Sequence, residues 1–283
     1  MLFRKKYDTS HDIAESFFEC QRDGLTIRGT HYRPEGENLP IAIVSHGFMA
    51  FQDTVRQYAI ELARFGYAAF CFDFCGGSVI KGKSDGKTTE MSVLTEVKDL
   101  EAVMNYAISL SYTRNDGILL MGCSQGGFVS ALTAVKRKSE VEKLVLFYPA
   151  FCIPDDARAG KMMFARFDPK NIPERISCGP MKLGRCYVSD VIEMGPYEEI
   201  MDYPNDVLIV HGTKDRIVKL DYSRKAYEMY KNTGDSDRRV VLKILEGGAH
   251  GFSRRHDAIA MEWMREFVEE QRGKTYEEDE SCH

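Results

Sequence analysis

The sequence lacks three features that would each place it in a particular class of protein. No stretch approaches the roughly eighteen consecutive apolar residues that a helix needs to cross a bilayer, which argues against a membrane protein. Basic residues are not in excess: the formal net charge is −5, which argues against nucleic acid or an anionic membrane as a partner. Eight cysteines in 283 residues are too few for a disulfide scaffold, and none form a CxxC pair typical of a zinc site.

The N-terminal residues also lack the pattern of a targeting segment. No apolar run follows the basic residues of Met1–Asp8, so we predict no signal peptide. With reduced thiols and no basic field, the simplest expectation is a soluble cytoplasmic protein that acts on a small molecule. The sequence leaves open whether the chain forms a homodimer.

Strand-like and helix-like segments alternate along most of the chain. Such alternation is typical of a mostly parallel, twisted sheet with helices on both faces. An opening antiparallel hairpin is predicted for Ser16–Cys20 and Leu25–Tyr32, around an Asp-Gly turn. The other predicted strands are 41–44, 67–72, 117–122, 144–148, 206–210 and 239–245, and the predicted helices are 54–65, 93–108, 258–268 and one that follows the 117–122 strand and runs through 136.

One region interrupts this alternation. Seven of the nine prolines and five of the thirteen methionines lie between Pro149 and Pro204, where no strand or helix pattern is visible. Long stretches without regular structure are usually functional, and methionine packs adaptably around ligands. We therefore expect a core of residues 1–149 and 204–283, with residues 150–203 inserted as a cap over a pocket. The alternative is that residues 150–203 form a long surface loop without a function.

The strongest chemical signal is the motif Gly122-Cys123-Ser124-Gln125-Gly126-Gly127, which follows a buried strand and opens a helix. Small residues two positions from the serine on either side permit a sharp strand-to-helix turn that projects the hydroxyl above the sheet. We therefore predict Ser124 as a nucleophile. Cys123 occupies the variable position of the motif, and we expect it to be buried in packing.

A serine hydroxyl needs a base, and seven histidines are candidates. His250 lies between glycines in the loop after the last predicted strand, at the edge of the sheet where Ser124 is expected. We interpret His46 and His211, which also follow strands, as structural hydrogen-bonding residues. Asp215 follows the penultimate strand and is the predicted orienting carboxylate. The resulting chain order Ser124, Asp215, His250 is the order of one particular fold.

An oxyanion needs backbone donors near the nucleophile. Ser45-His46-Gly47-Phe48 follows an early strand, at the same edge of the sheet as Ser124. We predict that the N–H groups of Phe48 and Gln125 form the oxyanion hole.

These four segments together resemble the α/β-hydrolase superfamily, and within it the bacterial cinnamoyl (feruloyl) esterases. Similarity to that group extends to Phe72-Asp73-Phe74, Ser84–Lys87, Met91–Glu96 and Asn171–Arg175. The resemblance implies an α/β-hydrolase fold whose inserted cap bounds the acyl pocket. It also implies that Asp156 and Tyr187 contact the phenolic end of the substrate.

The sequence departs from the pattern of that group at three places. Met163 stands where a substrate-binding glutamine is common, and Cys123 replaces the usual histidine before the nucleophile. The glycine–histidine–glycine turn after the fourth strand is changed to Cys75-Gly76-Gly77-Ser78.

The expected activity is hydrolysis of small aromatic or short acyl esters through an acyl-enzyme, with no cofactor and no metal. One alternative is a peptidase or amidase with the same triad, which would need an acidic clamp such as Glu193, Glu198 or Glu199. The other is a binding protein that has the fold without turnover.

Overall fold

The computed structural model describes residues 13–79, 82–233 and 238–269. Its main strands are β1 (Ala14–Arg22), β2 (Leu25–Arg33), β3 (Ile41–Ser45), β4 (Ala68–Phe72), β5 (Ile118–Cys123), β6 (Val141–Phe147), β11 (Asp206–Gly212) and β12 (Val240–Leu245). The longer helices are α1 (Arg56–Arg64), α2 (Val93–Ile108), α3 (Gln125–Lys136), α6 (Leu220–Asn232) and α7 (Arg254–Glu269).

The eight main strands form one sheet in the order β1-β2-β4-β3-β5-β6-β11-β12. The six strands from β4 to β12 run parallel to one another, and the β1–β2 hairpin joins them in antiparallel pairing. The carboxyl ends of β3, β5, β11 and β12 therefore lie at one edge of the sheet, where the loops that carry the predicted site residues also begin.

Alternate residues of the central strands pack into two separate apolar cores. In β3, Ile41 and Ile43 face one core, and Ala42 and Val44 face the other. The side chains of successive strand residues point to opposite faces of a sheet, so both faces of these strands are buried. Apolar residues of α2, α3 and α6 complete the first core, and those of α1 and α7 complete the second.

The proline-rich segment between β6 and β11 folds into short elements on the first of these faces. They are α4 (Ile153–Arg158), the strand pair β7 (Lys161–Met162) and β8 (Ala165–Arg166), the hairpin of β9 (Arg175–Cys178) and β10 (Met181–Gly184), and α5 (Cys186–Ser189). Buried side chains from this segment, including Met162, Met181 and Tyr187, belong to the same apolar core as the sheet. Short elements of two to six residues lack the periodicity that reveals longer ones in a sequence.

The sequence predictions for the strands, the hairpin and the α1, α2, α3 and α7 helices are confirmed to within a few residues. Helix α6 is not predicted, because its buried residues include the small Ser223 and Ala226, which give little apolar signal. The acidic run at 277–280 lies outside the described residues. Within those residues, no helix is both long and apolar enough to cross a membrane.

Candidate active site

Ser124 occupies a strained turn between β5 and α3. Its φ of 55° and ψ of −120° lie in a region that residues with a side chain rarely adopt. Gly122 and Gly126 make this turn possible, because a Cβ atom at Gly122 would lie 2.2 Å from the carbonyl oxygen of Gly126. A Cβ atom at Gly126 would lie 2.3 Å from the carbonyl oxygen of His46. The hydroxyl is thereby held at the carboxyl edge of the sheet, beside the N-terminus of α3.

The neighbouring thiol of Cys123 is packed among apolar side chains, as the sequence predicts. Burial raises the pKa of this thiol to about 12, so it remains protonated at neutral pH. Ser124, and not Cys123, is therefore the candidate nucleophile of this motif.

The imidazole of His250 reaches Ser124 from the loop after β12. Its Nε2 atom lies 3.0 Å from Oγ of Ser124, and its Nδ1 atom lies 2.7 Å from Oδ2 of Asp215. The ring of Tyr148 packs against the imidazole, with the two ring centroids 4.7 Å apart. With the Nδ1 proton donated to Asp215, Nε2 is free to accept the hydroxyl proton of Ser124.

Asp215 is held by its own loop as well as by the imidazole. Its Oδ1 atom accepts the backbone N–H groups of Ile217 and Val218, both at 2.9 Å. Burial of this fully covered side chain would raise its pKa, but hydrogen bonds with His211 and His250 outweigh burial and hold the pKa well below its usual range. The carboxylate is therefore charged at neutral pH.

His211 contacts the carboxylate of Asp215, a role that sequence reasoning misses. Its Nε2 atom lies 3.2 Å from Oδ2 of Asp215 and 3.0 Å from the carbonyl oxygen of Val218, and its Nδ1 atom lies 2.7 Å from Oγ of Ser223. A proton on Nε2 can be donated to Asp215 and Val218 while the hydroxyl of Ser223 pairs with Nδ1. The available signal was the spacing of four residues between His211 and Asp215 directly after a strand.

The predicted oxyanion donors lie on two segments beside Ser124. Gln125 is the first residue of α3, so its N–H has no partner within the helix. The loop that carries Phe48 passes so close that a Cβ atom at Gly47 would lie 3.1 Å from Cβ of Ser124. Phe48 and Gln125 thus lie beside Ser124, and all three residues line one cavity.

His46, together with the backbone N–H of Ala50 at 3.1 Å, contacts the carbonyl oxygen of the peptide that contains the Phe48 N–H. The Nδ1 atom of His46 lies 2.8 Å from the carbonyl oxygen of Gly47, which belongs to the same peptide unit as that N–H. Its Nε2 atom accepts the backbone N–H of Phe74 at 3.1 Å, which assigns the ring proton to Nδ1. Burial lowers the pKa of His46 and keeps the ring neutral.

The side chain of Gln125 joins two buried groups. Its Nε2 atom donates to Oε2 of Glu96 at 2.8 Å, and its Oε1 atom accepts the hydroxyl of Tyr187. Burial, reinforced by the charge of Asp99, raises the pKa of Glu96 well above its usual range despite the hydrogen bond from Gln125. The predicted contact residue Tyr187 thus donates its hydroxyl proton to the protein itself.

Two cavities meet at Ser124. One, of about 440 Å³, is also lined by His250, Tyr58 and Asp257, and the other, of about 290 Å³, lies on the opposite side under the segment between β6 and β11. Both Asp156 and Tyr187 line the smaller cavity, as does Met163. The acidic residues considered for an amine clamp do not line it: Glu193, Glu198 and Glu199.

A metal centre is not visible in the described ranges. No group of three or more histidine, cysteine, aspartate or glutamate side chains in residues 13–79, 82–233 and 238–269 could hold an ion.

Comparison with known proteins adds a family and several solved structures. A family model described as Hydrolase_4, serine aminopeptidase S33, matches residues 36–186. An uncharacterized 31.7 kDa protein of Escherichia coli from the traX-finO intergenic region is 26% identical over 156 residues, which cover 54% of this chain and 49% of that protein. The chain thus matches about half the length of this curated relative.

The solved structures match over most of the chain. Est1E from Butyrivibrio proteoclasticus, solved with ferulic acid bound, is 26% identical with a TM-score of 0.79, covering 89% of this chain and 100% of that chain. The mouse α/β-hydrolase domain-containing protein 10 is 16% identical with a TM-score of 0.68, covering 89% of this chain and 98% of that chain. The mouse protein shows shared fold alone.

Proposed function

The chain belongs to the α/β-hydrolase family described as serine aminopeptidase S33 and is related to feruloyl esterases, and from that membership we propose that it is a serine-dependent carboxylic ester hydrolase. The observation that carries the proposal is the contact of the His250 imidazole with both Ser124 and Asp215. An imidazole in hydrogen-bond reach of a nucleophile on one side and a carboxylate on the other is the arrangement that activates a hydroxyl.

In the proposed mechanism Ser124 Oγ attacks the ester carbonyl while His250 Nε2 takes its proton. The backbone N–H groups of Phe48 and Gln125 donate to the oxyanion of the tetrahedral intermediate. His250 then passes the proton to the leaving alcohol, and Asp215 stabilises the charged ring. Water repeats the sequence on the acyl-enzyme and releases the acid.

We assign the two halves of the ester to the two cavities by the position of the base. The alcohol must lie beside His250, which protonates it, and the cavity of about 440 Å³ is the one that His250 lines. The acyl group then occupies the cavity of about 290 Å³, which supports residues 150–203 as a cap over a core of 1–149 and 204–283. Small aromatic acyl groups of the hydroxycinnamoyl type and short acyl groups are the proposed substrates, as for Est1E with ferulic acid.

The family description also raises a peptidase, and the acyl cavity does not favour one. A free amino terminus needs an unpaired acid, whereas the acid in this cavity, Asp156, pairs with Lys161 at 2.8 Å.

The seven cysteines among the described residues are free, which supports the proposed cytoplasmic location.

A panel of substrates tests the proposal. We expect hydrolysis of 4-nitrophenyl acetate, 4-nitrophenyl butyrate and methyl ferulate, no comparable hydrolysis of aminoacyl 4-nitroanilides, and labelling of Ser124 by a fluorophosphonate probe. Cleavage of the anilides in preference to the esters would replace the esterase with an amidase. Absence of both labelling and turnover would leave a binding protein.

A further inference from the structure

The acyl cavity carries an excess of positive charge that the chain as a whole does not have. Lys161, Arg166 and Arg216 line it together with one acidic residue, Asp156. The formal balance of these four side chains is +2, whereas the whole chain has a net charge of −5. A local field of this sign beside the nucleophile attracts anionic ligands.

Asp156 is already neutralised by a partner. Its Oδ1 atom lies 2.8 Å from Nζ of Lys161, and the aspartate side chain is 21% exposed. A phenolic hydroxyl, which the resemblance to feruloyl esterases places against Asp156, would have to compete with this ion pair. The cavity therefore differs from one built only for a neutral phenol.

Neither guanidinium group, of Arg166 or Arg216, has such a partner among the described residues. Arg166 donates from Nη1 to the carbonyl oxygens of Met163 and Ala165, at 3.2 and 2.8 Å, which hold it at the β7–β8 turn. Arg216 lies on the loop of Asp215. In the described part of the chain neither arginine has a carboxylate oxygen within 4.0 Å. Both are free to pair with a ligand, and guanidinium matches the geometry of a carboxylate.

The rest of the cavity is suited to an apolar group. Ala150, Ile153 and Val218 line it, and Phe164 lies at its edge with 71% of its surface exposed. We propose that the preferred acyl group has an apolar body and a carboxylate at the end remote from the ester, as in a monoester of a dicarboxylic acid. Arg166 and Arg216 bind that carboxylate. The inference rests on the proposed function, because it concerns the same cavity and the same reaction.

A matched pair of esters isolates the effect of a carboxylate at the remote end of the acyl group. The mono-4-nitrophenyl ester of adipic acid and 4-nitrophenyl hexanoate have acyl chains of equal length and the same leaving group. We expect kcat/KM to favour the charged ester in the wild type. The ratio should fall about threefold in R166Q or R216Q, about tenfold in the double variant, and also in high salt, as for partly exposed ion pairs.

Arg175→Gln is the control. Arg175 is an exposed arginine on β9 of the same inserted segment, and it does not line the cavity. Its removal changes the net charge equally and should leave the ratio unchanged.

The possible failures of the two proposals are distinguishable. Equal or better use of the neutral ester by the wild type, or a ratio that the double variant does not change, overturns the charge proposal while ester hydrolysis stands. Failure to hydrolyse either ester, with no fluorophosphonate labelling, overturns the proposed function itself.

Discussion

Nε2 of His250 lies 3.0 Å from Oγ of Ser124, although 126 positions separate the two residues in the chain. The distance is that of a hydrogen bond, so the proposed proton transfer needs no rearrangement of the protein. The contact exists because the loops after β5 and β12 both leave the carboxyl edge of the same sheet.

Replacing Ser124 with alanine removes the proposed nucleophile, and we expect turnover of 4-nitrophenyl butyrate to fall by about 10⁶. Ser130→Ala is the matched control, because Ser130 lies on α3 with a buried hydroxyl that has no hydrogen-bond partner among the described residues. S124A with ordinary turnover would refute the mechanism. Loss of activity in S130A as well would point to disruption of α3.

Asp215→Asn should lower kcat by roughly 10⁴, because an amide does not stabilise the charged imidazole or enforce its tautomer. The same substitution should also change how the free energy of unfolding depends on pH. The pKa of Asp215 is lower in the folded chain than in the unfolded one, so the charge stabilises the fold above the ordinary aspartate range and this contribution is lost as pH falls through the folded pKa.

Urea unfolding of D215N beside wild type checks the second part. The variant should be less stable at pH 7, and the difference should shrink towards pH 3. Asp221→Asn, at an exposed position on α6, should show neither effect. A deficit in D215N that grows on acidification would contradict the depressed pKa.

His46 is expected to act on the rate through the orientation of the Gly47–Phe48 peptide. Asparagine can keep a donor near the position of Nδ1, whereas glutamine keeps an acceptor near Nε2 and loses the bond to Gly47. We therefore predict that H46Q lowers kcat by about ten- to a hundredfold with little change in KM, and that H46N retains more of the rate. Equal losses in both variants, or an effect confined to KM, would exclude this positioning role.

Local patterns were enough to predict the sheet and to select Ser124, Asp215 and His250, which lie in hydrogen-bond contact, because each of these signals depends on a few consecutive residues. The turn at Ser124 is specified by glycines that avoid backbone clashes. The strands are specified by runs of apolar residues that are buried on both faces of the sheet. The partners of Glu96 could not be predicted. Glu96 and Asp99 lie on the face of α2 that bears Val93 and Leu100, and their burial depends on Gln125 and on Arg22, whose Nε lies 2.6 Å from Asp99.

Glu96→Gln should raise the free energy of unfolding, more at pH 8 than at pH 5. The folded chain raises the pKa of this carboxyl, so wild type loses stability as pH rises from the ordinary glutamate range towards the folded pKa. Glutamine keeps an oxygen that accepts from Gln125 and has no charge to bury. Urea titrations at the two pH values measure the effect.

Glu101→Gln, on the same helix, is the control for E96Q. Glu101 pairs at the surface with Lys136, so its removal should cost little at either pH. An E96Q gain that is the same at pH 5 and pH 8 would argue that ionisation of Glu96 is not its source.

Tyr187→Phe separates an internal hydrogen bond from a contact with substrate. The hydroxyl donates to Oε1 of Gln125, so its loss leaves a buried acceptor unsatisfied and should cost about 1–3 kcal/mol of stability. Tyr230→Phe is the control, because the Tyr230 hydroxyl is buried without a hydrogen-bond partner among the described residues, and we expect little loss there. Should Y187F keep full stability while KM for methyl ferulate rises, the hydroxyl would be a substrate contact. A stability loss with kcat lowered and KM unchanged would place its effect on Gln125.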